Sequence, residues 1–486
     1  MTSKNSAMER DPKELAPFGL SLTVFLLCAF TIGFSVMKLK VDAHIPMIIS
    51  AVITAFVGMV FLKKTWEEVQ KGIVDGINIA LVAILILMLV GLLVGSWISS
   101  GTVPSLIYYG LKLLSPSYFL PATVLICSIV ALATGSSWTT AGTVGLALMG
   151  VGGVLGVPPA MSAGAVVSGS YFGDKMSPMS DTTNLAPAVS GGELFDHIRA
   201  MMWTTIPSYV ITLLLYTVIG IHFSGDIGSV ENIDMISKTM TSNFHIGLLT
   251  LIPPVFVIFS AIKKWPAIPS LIVGIAIAGL IAIGIQGVSV SAFIGHLHYG
   301  YESHTGVQSV DDLLSRGGLD NMMWTISLII CALSFGGIME SCGILESILY
   351  HLRAILRNPS SLIGTTLISS YLCNMFLGDQ FLGIIVPGRT FKPAYDEMGL
   401  APRMLSRTLE DCGTLTSPLI PWTACGAYMS GVLGVGAFTY APYAFMNWIN
   451  PIVAFVMTLM GIGVFWRKSD GGTTRNKKES IAAAMK

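Results

Sequence analysis

The sequence predicts an all-α polytopic membrane protein, built from two inverted repeats of about five transmembrane helices each, with one re-entrant hairpin and one discontinuous helix in each repeat. The first observation is composition: of 486 residues, 53% are hydrophobic and only 11% are charged, and the apolar residues come in long blocks. The second is a pair of polar, ionisable segments inside apolar surroundings. The third is that the order of these features recurs about 240 residues later.

Eight blocks have the length and character of ordinary spans, since about 20 apolar residues cross a bilayer. They are 17–37, 45–62, 77–98, 200–221, 246–262, 267–286, 321–342 and 445–466.

Two further regions predict re-entrant hairpins, because two short apolar arms flank a polar tip. In the first, arms 117–133 and 143–157 surround the tip 134–142. In the second, arms 360–376 and 381–390 surround the tip 374–380.

The blocks 160–197 and 404–435 predict discontinuous helices, because Gly, Pro, Ser and Thr interrupt the helical pattern in mid-span. Their polar cores are GDKMSPMSDTTN (173–184) and EDCGTLTSP (410–418), with Ser177-Pro178 and Ser417-Pro418 in equivalent places. A charged side chain in the hydrocarbon core costs roughly 2.5–3.5 kcal/mol even on the mildest scale. Such segments therefore indicate a transport site.

Five crossings per repeat is an odd number, so the second repeat must enter the membrane from the opposite side. The predicted organisation is a cytoplasmic tail (1–16), a first repeat (17–221), an external linker (222–244), a second repeat (245–466) and a second cytoplasmic tail (467–486). Residues 287–320, with His296, His298 and His304, form an insertion.

The positive charges support this topology, because Lys and Arg concentrate on the cytoplasmic side. The arrangement places 21 of the 27 Lys and Arg residues there. The inner set is Lys4, Arg10, Lys13, Lys63, Lys64, Lys71, Arg199, Lys263, Lys264, Arg353, Arg357, Arg389, Lys392, Arg403, Arg407 and the six of the C-terminal tail. Lys175 alone falls within the bilayer.

The polar segments supply the groups that an ion carrier needs. A buried carboxylate can hold either a proton or a metal ion, and Na+ prefers hard oxygen ligands. The candidate coupling carboxylates are Asp174, Asp181, Asp379, Glu410 and Asp411. The candidate ligands for an ion or substrate are Ser136, Ser137, Thr139, Thr140, Lys175, Ser177, Thr182, Thr183, Asn184, Asn374, Thr414, Thr416 and Ser417. Asp181, Thr182 and Thr183 together predict a Na+ site.

Structural interpretations of the same residues stay open. Asp174 and Lys175 could form a structural ion pair, and Asp379 could simply cap a helix. Glu410 and Asp411 could lie near the inner surface beside Arg403 and Arg407.

The sequence favours no enzymatic activity. It has no phosphate-binding GxxxxGK[ST] loop and no H-E-x-x-H motif. Asp411-Cys412-Gly413-Thr414 echoes the phosphorylation loop of P-type pumps, but the aqueous domains of those pumps have nowhere to fit. The seven cysteines lack metal-ligand spacing and are interpreted as buried apolar residues. No cofactor and no nucleic-acid partner is expected.

Three motifs resemble the NhaC family of sodium/proton antiporters, within the broader ion transporter superfamily. They are GSSWTT (135–140), the segment 173–184, and Glu410-Asp411 followed by SPLIPW (417–422). The resemblance spans roughly residues 17–466. It implies exchange of external protons for internal sodium across the inner membrane of a bacterium or archaeon, with Asp174 and Asp181 as the ion-handling carboxylates.

The resemblance also implies an alternative, because some relatives exchange organic acids, as in malate uptake against sodium and lactate, or carry amino acids. The expected partners are membrane lipid, the transported ions Na+ and H+ and, in the alternative, a small organic solute. A homodimer is left open.

Overall fold

The structure is a computed structural model, and it describes residues 15–223, 230–263, 265–353, 356, 358–468 and 472–480. Most of the predicted tail 1–16 lies outside these residues, as do Lys4, Arg10, Lys13, Lys264, Arg357 and Lys486. Of the predicted linker 222–244, the described part is mainly one helix, Val230–Asn243.

The described chain is almost entirely helical. The first ten α-helices are α1 (Phe18–Gly33), α2 (His44–Val60), α3 (Trp66–Ser99), α4 (Thr102–Leu113), α5 (Pro116–Thr134), α6 (Ser137–Thr140), α7 (Leu146–Val154), α8 (Pro159–Met176), α9 (Asp181–Ser190) and α10 (Leu194–Phe223).

The helices that follow are α11 (Val230–Asn243), α12 (Ile252–Ile262), α13 (Ala267–Gly284), α14 (Val290–His298), α15 (Gln308–Leu314), α16 (Leu319–Ser341), α17 (Ile344–Arg353), α18 (Pro359–Leu377), α19 (Gln380–Glu397), α20 (Pro402–Leu409), α21 (Ala424–Leu433), α22 (Ala437–Tyr440) and α23 (Phe445–Leu459). Short π-helical segments lie at Phe34–Lys38, Ala141–Gly145 and Glu410–Thr414. Short 3₁₀ segments lie at Leu248–Leu251, Ser417–Leu419, Ala441–Tyr443 and Lys477–Glu479.

Seven of the described helices are long and apolar enough to cross a membrane, and a bent pair raises the number to eight. The pair joins Met235–Asn243 to Leu248–Ile262 at an angle of 92°. The seven are Phe18–Lys38, α3, α5, α10 up to His222, α13, α16 and α18. The chain is therefore a helical membrane protein, as predicted.

Several boundaries differ from the predicted ones. Helix α3 begins at Trp66, eleven residues before the predicted start, because Thr65 and Glu68 form a capping box. The predicted span 445–466 is too long: α23 ends at Leu459, and the chain turns through Gly461 and Gly463, both with positive φ. It then forms β1 (Trp466–Arg467), which pairs antiparallel with β2 (Thr473–Thr474).

Both predicted hairpins have two helical arms joined at a polar turn, but their first arms are longer than expected, and the second arm of the second hairpin, α19, has 18 residues where 381–390 was predicted. Helices α5 and α18 each have 19 residues and qualify as candidate spans. The second arm of the first hairpin begins as α6, continues through the π-helical segment 141–145 and ends with α7.

Helices α3 and α16 approach each other closely through glycines. A Cβ added to Gly337 would overlap the backbone oxygen of Gly72, and one added to Gly76 would overlap the backbone oxygen of Leu333. On the other side, Gly336 lies directly against the backbone of Leu377 at the end of α18. Helix α16 therefore fixes the second hairpin relative to α3.

Candidate functional site

The first discontinuous helix breaks between α8 and α9, over residues 177–180. The Ser177 hydroxyl donates a hydrogen bond to the Leu132 carbonyl (2.8 Å), which attaches the break to α5. The Thr183 hydroxyl donates to the Lys175 carbonyl at the C-terminal end of α8 (3.0 Å). The break therefore places Asp174 and Lys175 in the last turn of α8, where both side chains are buried.

The tip of the first hairpin meets this break. Helix α5 ends at Gly135, which has a φ of +69° that favours glycine. Ser136 then caps α6 by accepting from the Thr139 N–H (3.1 Å). The Ser137 N–H donates to Asp174 Oδ2 (3.0 Å). A carboxylate from α8 thus occupies the N-terminus of α6, where the helix dipole favours negative charge.

The second discontinuous helix is α20, the π-helical segment 410–414, the 3₁₀ segment 417–419 and α21. A π-helical turn inserts one extra residue into a helix and is frequent at functional sites. Glu410 and Asp411 begin this segment, and both are fully buried. Arg407, which the sequence placed beside them, is fully buried with them.

The second hairpin contacts the second break. The Asn374 amide donates to the Gly413 carbonyl (2.6 Å) and to the Thr416 hydroxyl (3.1 Å). Asp379 caps α19, because its Oδ1 accepts from the N–H groups of Phe381 (2.7 Å) and Leu382 (3.3 Å).

Two contacts join the breaks to each other. Lys175 Nζ lies 2.8 Å from Asp411 Oδ1, with both side chains fully buried. The Thr182 hydroxyl donates to Glu410 Oε1 (3.0 Å), whereas Glu410 Oε2 has no hydrogen-bond partner in the described chain. The partner of Lys175 is therefore Asp411 in the other half of the sequence, and not the adjacent Asp174.

Asp411 has further contacts, with Arg407 and with two residues that the sequence analysis did not name, Thr204 and Asn450. Its Oδ1 accepts from the Thr204 hydroxyl and from the Asn450 amide, both at 2.9 Å. Arg407 Nε lies 3.6 Å from Oδ2, and the same guanidinium donates to the Gly463 carbonyl (2.6 Å). The sequence signal for this contact was the pair Asn447 and Asn450, three residues apart on the mainly apolar helix α23.

Two cavities open beside the first hairpin. The larger, of about 560 Å³, lies between the hairpin, α9 and helices α3, α12 and α13. The smaller, of about 200 Å³, lies between the two hairpin tips. Asp181 is exposed and lines both. Asp174 and Asp379 line the smaller cavity only.

Some of the remaining predicted ligands are hydrogen-bonded within their own segment, and others have no hydrogen-bond partner among the described residues. The Asn184 amide donates to the carbonyls of Pro178 (3.0 Å) and Ser180 (2.7 Å) within the break. The hydroxyls of Thr140 and Thr416 donate within their own helices, to the carbonyls of Ser136 and Cys412. The Thr414 and Ser417 hydroxyls are buried with no hydrogen-bond partner among the described residues.

Comparison with known proteins identifies the family. The sequence profile of the Na+/H+ antiporter family matches residues 169–462, which include both breaks. The Na+/H+ antiporter NhaC of Alkalihalophilus pseudofirmus is 42% identical over 92% of this chain and 97% of its own length. The malate-2H+/Na+-lactate antiporter of Bacillus subtilis is 36% identical over 90% of this chain and 94% of its own.

A third relative, the arginine/ornithine antiporter ArcD of Halobacterium salinarum, is 37% identical over 93% of both chains. Matches of this identity along nearly the whole length establish the family. The chain belongs to the NhaC family of Na+/H+ antiporters.

Proposed function

We propose that this protein is a secondary transporter that exchanges sodium for protons across the cell inner membrane, with both termini in the cytoplasm. The observation that carries the proposal is the cluster of Lys175, Thr182, Glu410 and Asp411, which joins two broken helices through fully buried charged groups. Carriers place their ion sites where discontinuous helices meet. Binding of Na+ and protonation then compete for the same carboxylates.

The contacts support different roles for the five carboxylates. Asp411 accepts from Lys175, Thr204 and Asn450, so we assign it the task of holding the breaks together. Asp174, Asp181 and Asp379 line the smaller cavity, and Glu410 has one unpartnered oxygen. We assign ion and proton handling to these four.

The proposed Na+ site is centred on Asp181. Thr182 lines the smaller cavity beside it, whereas Thr183 does not line either cavity and donates its hydroxyl to the Lys175 carbonyl. We therefore propose Asp181 and Thr182 as ligands and assign Thr183 to the shape of the break.

We also propose that the two halves are inverted repeats, which gives a carrier two mirror-related arrangements for alternating access. Each half has a long helix, a short helix, a hairpin and a broken helix in that order. The hairpin turns match closely: Gly135 with capping Ser136, and Gly378 with capping Asp379, both glycines left-handed.

The test is exchange in proteoliposomes that contain a pH-sensitive dye. Added Na+ is expected to dissipate an imposed pH gradient, and a failure of Na+ alone to do so would refute Na+/H+ exchange. Asp181→Asn is expected to abolish exchange while the protein still inserts. Full activity of that variant would move the ion site to Asp174, Asp379 or Glu410.

A second candidate function is transport of a small organic solute coupled to Na+ or H+. It is favoured by the volume of the larger cavity, about 560 Å³, because a bare ion needs no such space. In the same assay, a solute-dependent signal that Na+ alone does not give would support it.

A further inference from the structure

The charges around the two cavities are all of one sign. Three carboxylates line them, those of Asp174, Asp181 and Asp379. Among the residues that the structure describes, neither lining includes a Lys, Arg or His. Lys175, which follows Asp174 in the sequence, is instead paired with Asp411. An organic anion would meet no opposite charge here.

The helix N-termini beside the cavities do not favour an anion either: α9 begins with the carboxylate of Asp181, and side chains occupy the N–H groups at the two hairpin tips. Free N–H groups at a helix N-terminus usually attract anions. At the first hairpin tip, the Ser137 N–H is bonded to Asp174 and the Thr139 N–H to Ser136. At the second tip, Asp379 occupies the first N–H groups of α19. The protein's own side chains hold these positions.

A second observation points to a ligand that donates hydrogen bonds. Gln380 lines the smaller cavity and is only 9% exposed, yet its Oε1 has no hydrogen-bond partner within the described chain. Leaving a buried acceptor unpaired costs about 1–3 kcal/mol. An N–H donor in the smaller cavity would satisfy it.

The larger cavity suits the uncharged part of such a ligand. Trp138 lines both cavities and stacks on Tyr428, with ring centroids 4.1 Å apart. The opposite wall is apolar and is formed by residues such as Val90, Val257 and Leu271. An aromatic face beside carboxylates favours an organic cation, since the ring attracts positive charge.

We propose that the two cavities form one binding site for a small organic cation with a guanidinium or ammonium head. The head lies among Asp174, Asp181 and Asp379 beside Gln380, and the apolar body lies along Trp138 in the larger cavity. The inference rests on the proposed function for the competition with Na+ at Asp181. It disfavours both organic acids and amino acids as the solute, because a ligand carboxylate finds no partner here.

Binding to the purified full chain in detergent tests the proposal without any transport step. The probes are propylguanidinium, its neutral analogue propylurea, arginine and malate, measured by the shift in the thermal unfolding midpoint without Na+. Propylguanidinium is expected to stabilise the protein and arginine to bind at least about tenfold more weakly, which corresponds to about 1.4 kcal/mol. Propylurea and malate are expected to give no shift.

Two variants locate the site. Ala261→Phe fills the larger cavity from α12 and is expected to weaken propylguanidinium binding at least about tenfold. The control is Ile262→Phe on the same helix, which is 48% exposed, lines neither cavity and is expected to bind as the unmodified protein does. Equal binding by both variants would overturn the location.

Binding of malate, or of arginine as tightly as propylguanidinium, would overturn the class of ligand. A failure of the proposed function can be told apart from a failure of this inference. If Na+ does not drive exchange but propylguanidinium binds, the organic-cation site is supported and Na+/H+ exchange is refuted. If exchange occurs and propylguanidinium does not bind, only this inference is wrong.

Discussion

Lys175 and Asp411 are the residues on which the junction between the two broken helices most depends. Both are fully buried, and taking two charges out of water is costly unless each finds a partner and further hydrogen bonds. Thr204 and Asn450 donate hydrogen bonds to Asp411, and Arg407 lies 3.6 Å away as a second cation. We therefore interpret the pair as a fixed cross-link, in keeping with the proposed use of the other carboxylates by ions.

Removing both members of this pair should cost less free energy of unfolding than the sum of the two separate removals. Lys175→Met is expected to lower the free energy of unfolding by about 3–5 kcal/mol, because it leaves a buried carboxylate with a weaker partner. The double variant Lys175→Met/Asp411→Asn should lose less than the sum of its single variants, by about 0.5–3 kcal/mol. Unfolding by SDS titration in mixed micelles measures all three.

The control is the ion pair of Arg353 and Glu397 at 3.0 Å, which is partly exposed. Arg353→Met and Glu397→Gln should each cost no more than about 1 kcal/mol. Strictly additive losses for Lys175 and Asp411 would contradict a direct coupling between them.

At the scale of helices, the sequence allowed the elements of the site to be predicted but not how they pair. Ser177, Pro178 and Ser180 marked one break, and the polar run at 410–418 marked the other. Those signals are local, since they reflect backbone hydrogen bonds that cannot be made. The pairing of Lys175 with Asp411, 236 positions away, depends on tertiary packing that no local pattern encodes.

The crossing of α3 and α16 should tolerate no side chain at Gly337. Gly337→Ala puts a methyl group onto the Gly72 carbonyl, so the helices must separate, at a cost of about 1–3 kcal/mol or more. The control is Gly284→Ala at the end of α13, where the added Cβ meets nothing within 4 Å. Thermal unfolding of both variants should show a lower midpoint for Gly337→Ala only.

The segment between α14 and α16 depends on a single carboxylate. The Thr305 N–H, with the Ser303 and Thr305 hydroxyls and the Gly306 N–H, lowers the pKa of Asp311 from its ordinary value of 3.8 to about 2. A depressed pKa means that ionised Asp311 stabilises the folded segment at and above about pH 4. This stabilisation is lost as the pH falls from about 4 to about 2.

Pepsin, which is active in this range, should therefore cut within residues 303–316 more readily at pH 2 than at pH 4, relative to an unstructured peptide substrate. Asp311→Asn should be cut readily at pH 4 already. The neighbouring Asp312, which accepts from the Gln308 amide, supplies the control, and Asp312→Asn should behave as the unmodified chain does. Equal cleavage of the two variants at pH 4 would contradict the role of Asp311.

For the whole molecule, the proposed inverted repeats make a claim about sidedness that equivalent positions can test. Helix α4 follows the long helix α3 and has Lys112 in its last turn. Helix α17 follows the long helix α16 and ends at Arg353. These two residues occupy corresponding places in the two halves. If the halves are inverted, they must face opposite sides of the membrane.

Labelling with a membrane-impermeant maleimide on intact cells measures this directly. Lys112→Cys is expected to react from outside, and Arg353→Cys only after the cells are permeabilised. The native background should be low, because six of the seven free cysteines are buried and Cys331 is only partly exposed. Lys238→Cys and Lys263→Cys serve as further outer and inner reference positions under the same topology. Reaction of both primary variants from the same side would mean that the halves run parallel. Parallel halves do not supply the two mirror-related arrangements that the proposed alternating access needs.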